Sequence, residues 1–198
     1  MLLIATRNAK SDPSLISLPE GDAFDYKTVE GSLDGCDACI TTLGGGAEGG
    51  EDGKMIDYVG NNNVIEAAGI LGVTRVVLVT SIGCGDSKDA PPPSVYEVLR
   101  AVLEQKEKAE RVLQRYYTNS NWTIIRPGGL VTDKATGKAS LTEDNSVIGS
   151  IRREDLADLV VSALSSKKTE KKVLSAIDFS IPSAANPDGK TADEFVLE

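Results

Sequence analysis

The run Val76-Val77-Leu78-Val79-Thr80 constrains this chain more than any other feature of it. A stretch with no polar side chain until its last residue cannot alternate between core and water, so it must be a strand covered on both faces. Strands of that kind belong to parallel sheets sandwiched between helices. The rest of the chain has matching punctuation. Leu2 to Thr6 reads as a strand, Ser11-Asp12-Pro13 opens a short helix or turn, and Gly21-Asp22 closes a weak second strand. Asp34-Gly35 is a turn before a strand from Ala38 to Leu43, and Gly44 to Gly53, with six glycines in ten residues, must be a loop. Met55, Tyr58, Val59, Asn62, Ile65 and Ala68 then recur at helical spacing up to Gly72. A longer helix is predicted over Ser94 to Tyr117, with the stripe Val95, Leu99, Val102, Lys106, Ala109, Leu113 and Tyr116. Thr123-Ile124-Ile125 is the next buried strand, ended by Arg126-Pro127-Gly128-Gly129. Glu154 to Leu164 is a helix whose Leu156, Leu159, Val160 and Ala163 share a face, and Lys172 to Phe179 supplies a last strand. This order predicts a doubly wound α/β sheet forming one domain over residues 1–180. Residues 181–198, rich in Pro, Ser, Ala, Asn and Gly, are expected to be a surface-wrapped or mobile tail.

Composition removes several kinds of chemistry. The 198 residues are 40% hydrophobic and 26% charged, as in soluble globular domains. A formal charge of −9, with no segment that concentrates Lys and Arg, argues against nucleic acid as a partner. The one basic run, Lys167 to Lys172, contains Glu170 and reads as a solvated loop. Histidine is absent, which excludes Ser-His-Asp and Cys-His catalysis and the commonest metal ligand. Chemistry therefore falls to Ser, Thr, Tyr, Lys or a cofactor. Cys36, Cys39 and Cys84 are odd in number and lack zinc-type spacing, so neither a disulfide framework nor a metal site is expected, and a reducing compartment is the default. Cys36 and Cys39 form a C-x-x-C, open to a redox reading. Within Ala38-Cys39-Ile40, however, a small buried strand residue is the better one. No run of 18 apolar residues exists to span a membrane, and Met1 to Thr6 lacks the basic flank of a signal or transit peptide.

In a doubly wound sheet, ligands bind outside the carboxyl ends of the strands. The informative residues are then Arg7, Asp22, Thr42 with Gly44, Thr80 with Ser81, and Arg126 with Pro127 and Gly128. Lys106 stands out separately, because a charge in a buried helical stripe is costly unless its ammonium is paired or reaches a polar site. The alternative is a stem lying on apolar surface with its head in water.

Four segments carry a family resemblance: Val76-Val77-Leu78-Val79-Thr80-Ser81, Lys106-Glu107-Lys108-Ala109-Glu110, Ile124-Ile125-Arg126-Pro127-Gly128-Gly129 and Ile151-Arg152-Arg153-Glu154-Asp155-Leu156-Ala157. From about residue 2 to 180 the chain resembles the atypical short-chain dehydrogenase/reductases. That group includes NmrA-like proteins, plastid NAD(P)-binding proteins and the biliverdin/flavin reductases. The resemblance implies a Rossmann-type fold and NADP as cofactor. It implies that Arg7 meets the 2′-phosphate, whose oxyanion suits a planar guanidinium. Asp22 would lie near the adenine edge, although an Asp after Gly is also an ordinary turn residue. Thr42 and Gly44 would let the backbone approach ribose and phosphates, with Pro127 and Gly128 beside them. Ser81 would hydrogen-bond a substrate carbonyl and Lys106 would be the active-site lysine.

The sequence departs from that pattern twice. Val102 stands where the family's usual catalytic tyrosine would be, four residues before Lys106, and Tyr96 lies too far back to replace it. The chain also begins at what aligns with the family's second strand, so the glycine-rich first turn, which holds a pyrophosphate on backbone N–H groups, has no counterpart, and the fold is expected to be N-terminally truncated. Weak or absent NADP binding is therefore expected. So are unpaired edges on Leu2 to Thr6 and Val76 to Thr80, unless those two strands pair directly. Two functions remain open. One is an NAD(P)H-dependent reductase of a small conjugated acceptor, a quinone, flavin or bilin. The other is a non-catalytic scaffold or assembly subunit of a larger complex, plastid photosynthetic in some relatives, with an acidic surface preferring basic protein partners and stability chiefly within the complex. A plastid stroma or the cytoplasm is the implied location.

Overall fold

Both-face burial of the central apolar run is borne out in the computed structural model, which describes residues 5–6, 16–17, 21–46, 49, 52–117, 119–182 and 191–197. In chain order these form β1 (Ala5–Thr6), β2 (Ile16–Ser17), α1 (Tyr26–Leu33), β3 (Ala38–Thr41), α2 (Val59–Ile70), β4 (Arg75–Val79) and α3 (Pro93–Tyr116). Then follow β5 (Asn121–Pro127), β6 (Gly129–Val131), β7 (Ser140–Thr142), β8 (Ser150–Arg152), α4 (Arg153–Ser165) and β9 (Lys172–Ile177). The central sheet has the order β3-β4-β5-β9-β7, with the first four strands parallel and β7 antiparallel at one edge. β6 and β8 form a small parallel pair, and β1 and β2 an antiparallel one.

β4 sits inside this sheet, and its alternate side chains enter two separate cores. Val76 and Leu78 pack with Val64, Ile65 and Leu113 beneath the helices α1, α2 and α3. Val77 and Val79 pack with Leu156, Val160 and Ala163 beneath α4. β3 differs: Cys39 and Thr41 are buried, whereas Ala38 and Ile40 are only half-buried, with Ile40 on the α4 side. Among the described residues, three helices thus cover one face and α4 alone covers the other.

Local chemistry sets the element ends. Asp25 caps α1 by accepting the Lys27 amide at 3.1 Å. Gly72, at φ 75°, ends α2, with the Val73 amide returning to the Ala68 carbonyl at 2.8 Å in a Schellman arrangement. Pro93 opens α3, where a missing N–H costs nothing. Arg75 at the start of β4 donates to the Ala163 and Leu164 carbonyls, at 2.6 and 3.0 Å, and so closes the C-terminus of α4. Burial lowers the pKa of that guanidinium.

Several expectations need correction. Val76 to Thr80 exposes no strand edge, and it does not pair with Ala5–Thr6, the described part of the expected first strand. β4 is flanked by β3 and β5, while Ala5–Thr6 pairs with Ile16–Ser17. The α2 crossover lays β3 and β4 side by side, so among the described residues the parallel edge of the sheet is β3, opposite the antiparallel edge strand β7. α1, β7 and most of β6 and β8 lie in stretches to which the sequence pattern assigned no element. On α3 the buried face is Tyr96, Leu103, Ala109, Glu110 and Leu113, whereas Val95 and Leu99 are 42% and 43% exposed and Tyr116 is 75% exposed. On α2 the buried amide is Asn61, with Asn62 only half-buried. Ser11-Asp12-Pro13 falls outside the described residues. Residues 191–197 run without regular structure over the surface, held where the Phe195 amide meets the Leu141 carbonyl at 2.7 Å and the Ser166 hydroxyl meets the Leu197 carbonyl at 2.8 Å.

Candidate functional site

β3, β4 and β5 run parallel and end at one edge of the sheet, so the loops leaving them converge. There they open a cleft of about 780 Å³. Thr42, Gly44 and Gly45 enter it from β3, Thr80 and Ser81 from β4, Pro127 and Gly128 from β5, and Lys106 from α3. One further wall is apolar, made by Ile40 and Val79 on the sheet and by Leu156, Ala157, Val160 and Val161 on α4, and Leu130 and Arg153 complete the lining. A cleft with one apolar wall and a few converging polar groups is the usual form of a small-molecule site.

Of the residues singled out from sequence, Thr42, Gly44, Ser81, Lys106, Pro127 and Gly128 all line this cleft. Asp22 lies apart from it, in the exposed turn before α1, where its carboxylate accepts the Phe24 amide at 2.9 Å. Arg7 is outside the described residues. Arg126 points into the protein: its Nε and Nη2 donate to Glu110 at 3.0 and 2.7 Å, and Nη1 pairs with Asp86. Burial alone would lower the Arg126 pKa, but the Glu110 and Asp86 carboxylates raise it instead, so the guanidinium stays charged. Glu110 also accepts the Thr80 hydroxyl at 2.6 Å, which ties the end of β4 to α3.

Ser81 follows on a backbone that keeps pairing beyond the strand: the Thr80 amide donates to Ile125 at 2.9 Å and the Ile82 amide to Pro127 at 3.0 Å. The half-buried Ser81 hydroxyl is thereby fixed beside Pro127, donating to the Ile82 carbonyl at 2.9 Å. No tyrosine lines the cleft among the described residues. Val102 is half-buried, and Tyr96 packs with Cys84 and Leu103.

Lys106 does not lie with its head in open water. Its Nζ sits 2.9 Å from Oδ1 of Asp57, which is wholly buried, and donates to the Leu43 carbonyl at 3.2 Å. A Cβ on Gly44 would stand 2.9 Å from that ammonium and 3.2 Å from Asp57 Oδ1. The glycine makes room first for the protein's own ion pair. Gly128 is similar, since a Cβ there would meet the Gly149 carbonyl oxygen at 2.4 Å. Asp57 and Asn61 were not singled out from sequence. The available signal was two polar residues one helical turn apart inside an apolar repeat.

The cysteines take no part. Cys39 is buried, which pushes its thiol pKa up to about 12, and burial raises that of Cys84 as well, so both are held as unreactive thiols. Among the described residues, no group of three or more Cys, Asp or Glu is placed to hold a metal ion, and no helix is long and apolar enough to cross a membrane.

Comparison with known proteins places this geometry in context. A family model described as NAD(P)H-binding matches residues 5–167. The chain is 31% identical over 157 residues to YhfK of Bacillus subtilis, described as an uncharacterised sugar epimerase, an alignment covering 79% of this chain and 70% of that protein. It is 34% identical over 110 residues to the chloroplastic protein TIC 62 of Pisum sativum, covering 53% of this chain but only 20% of that one. Among solved structures it is similar to ChuY, an anaerobilin reductase from Escherichia coli O157:H7. There the TM-score is 0.72 and the identity 30%, covering 83% of this chain and 76% of the other.

Proposed function

Because the chain belongs to the NAD(P)H-binding family and has its Rossmann-like fold, we propose that the cleft holds the nicotinamide end of NADP(H) and that the protein reduces a small conjugated acceptor, a quinone, flavin or bilin. The observation that carries this reading is the convergence of Ser81 and Lys106 on one cleft with an apolar wall. The residues present fit the group. An ammonium held at the strand ends suits ribose hydroxyls, and the apolar wall suits the flat faces of a nicotinamide and an unsaturated acceptor. When bound, the nicotinamide supplies the hydride. Ser81 turns its hydroxyl from the Ile82 carbonyl to the acceptor oxygen, where negative charge develops. Lys106 would hydrogen-bond the ribose hydroxyls. Thr42, Gly44, Pro127 and Gly128 shape the floor and rim of the cofactor site, and Val79 and Val160 keep water from the transfer path. Arg7 is assigned to the 2′-phosphate and Asp22 to the adenine edge.

Affinity for the cofactor is proposed to be low in these 198 residues. The Gly45 amide at the rim already donates to Asp57 at 3.0 Å and so is not free to hold a pyrophosphate. Titration of the purified chain with NADPH, followed by nicotinamide fluorescence, tests this, and a dissociation constant of about 1 μM or below overturns it. At saturating NADPH, a quinone, FMN or biliverdin should be reduced. Ser81→Ala should lower turnover by about ten- to a hundredfold with cofactor affinity little changed. No reduction of any acceptor, or equal rates in the variant, would defeat the reading.

A second reading, a non-catalytic subunit of a plastid complex, is supported by the apolar stripe Val95, Val98 and Leu99 on α3, exposed by 42, 78 and 43%, and by the likeness to TIC 62. It predicts that the 198-residue chain alone aggregates, whereas a soluble, cooperatively unfolding monomer favours the enzyme.

A further inference from the structure

Burying a carboxylate and an ammonium together costs desolvation that their attraction repays only in good geometry, so the Asp57–Lys106 pair needs a reason for its place at the cleft. Asp57 lies in the turn before α2 and is wholly buried, while Lys106 keeps 13% of its side chain exposed. The two carboxylate oxygens act differently. Oδ2 accepts the Gly45 amide at 3.0 Å. Oδ1 is 2.9 Å from Lys106 Nζ but outside the angles of a directed hydrogen bond, so that contact is a close ion pair. The directed bond of the ammonium goes to the Leu43 carbonyl at 3.2 Å. That same carbonyl accepts from Asn61 Nδ2 at 3.2 Å, and Asn61 in turn accepts the Thr41 hydroxyl at 2.6 Å and donates to the Asp57 carbonyl at 2.9 Å. The segment from Thr41 to Gly45 is thus fastened to the start of α2, and the lysine from α3 is drawn into the same unit.

We propose that Asp57 is a positioning residue, holding the Lys106 ammonium and the Gly45 amide as one rigid group so that the ammonium presents a fixed N–H to the ribose in the cleft. This rests on the cofactor reading given above. An ammonium has three N–H donors; Leu43 engages one, the Asp57 charge 2.9 Å away holds the group in place, and donors are left to face the cleft. A lysine left to itself samples many rotamers and must lose that freedom on binding, whereas one clamped beforehand does not.

A double-mutant cycle in cofactor affinity separates this role from simple loop anchoring. Asp57→Asn preserves volume and still accepts from the Gly45 amide, so it leaves the anchoring intact and removes the charge. Asp57→Asn should raise the NADPH dissociation constant by about tenfold in the presence of Lys106. In the Lys106→Met background the same change should add less than about twofold. An equal factor in both backgrounds would overturn the proposal. A second readout needs no cofactor: the heteronuclear NMR signal of the Lys106 ammonium should be sharp and slowly exchanging in the unliganded chain and lost in Asp57→Asn. If the signal is unchanged by the substitution, Asp57 does not hold the lysine. If the unsubstituted chain binds no NADPH, the cofactor reading fails, and the ammonium signal alone decides whether Asp57 holds Lys106.

Discussion

Two glycines at the cleft look alike in the sequence and differ in the structure. Gly44 and Gly128 both follow strands, and both read there as sites where the backbone must approach a ligand. In the fold, each is already crowded by the protein itself. A Cβ on Gly128 would lie 2.4 Å from a backbone oxygen, which cannot move without shifting Gly149 and β8. At Gly44 the nearest atoms are the tip of Lys106 at 2.9 Å and Asp57 Oδ1 at 3.2 Å, the two halves of the buried ion pair. Gly128→Ala should cost about 1–3 kcal/mol in urea unfolding. Gly44→Ala should cost at least as much, because pushing the ammonium aside leaves the buried Asp57 carboxylate without its counter-charge, and should in addition weaken NADPH binding. Undiminished NADPH binding in Gly44→Ala would contradict this account. The charged partners were not legible, because sequence spacing shows that Lys106 and Glu110 share a face but not that Asp57 and Arg126 meet them.

At the scale of elements, periodicity located α3 and its buried Ala109 and Leu113, but misjudged the face of its N-terminal half. Val95, Leu99 and Val102 make a regular apolar stripe, yet the face against the sheet carries Tyr96, Leu103 and Glu110. Glu110 is the reason the reading slipped. It lies at the heart of the buried face, satisfied by two bonds from Arg126 and one from Thr80, and a hydrophobic pattern treats it as a solvent residue. Leu103→Ala should destabilise by about 2–5 kcal/mol, whereas Val98→Ala, at a position 78% exposed, should stay within about 0.5 kcal/mol. Comparable losses in thermal or urea unfolding would mean that the exposed stripe is covered in solution.

Across the whole molecule, Asp178 ties the end of β9 to the separate β6–β8 pair. Asp178 follows β9, and its amide donates to the Ser150 carbonyl of β8 at 2.9 Å. Burial works against its charge. The Ser180 hydroxyl and amide, the Thr136 hydroxyl and Arg152 outweigh that and hold its pKa below the usual carboxylate range. A depressed pKa in the folded state means that the stabilisation is fully present above the unfolded value of about 3.9 and is lost as pH falls through the lower folded value. Unfolding free energy should therefore drop below about pH 4, and Asp178→Asn should make that drop shallower. An identical acid limb in the variant would show that other groups control it.

What the sequence determined by itself was the order of strands and helices and the places where strands end, because both follow from local rules: period, apolar runs and turn residues. That was enough to bring Thr42, Gly44, Ser81, Lys106, Pro127 and Gly128 to one cleft, since parallel strands that begin at one edge of a sheet must finish at the other. Tertiary structure alone decided that β3 rather than β4 lies at the edge of the sheet, and which side of α3 is buried. It alone brought the apolar wall of α4 over Ile40 and Val79, and Asp57 beneath Lys106. Those outcomes rest on contacts between residues far apart in the chain, where the free energy of burying a charge or a methyl group depends on what arrives from another element, and no local pattern contains that partner.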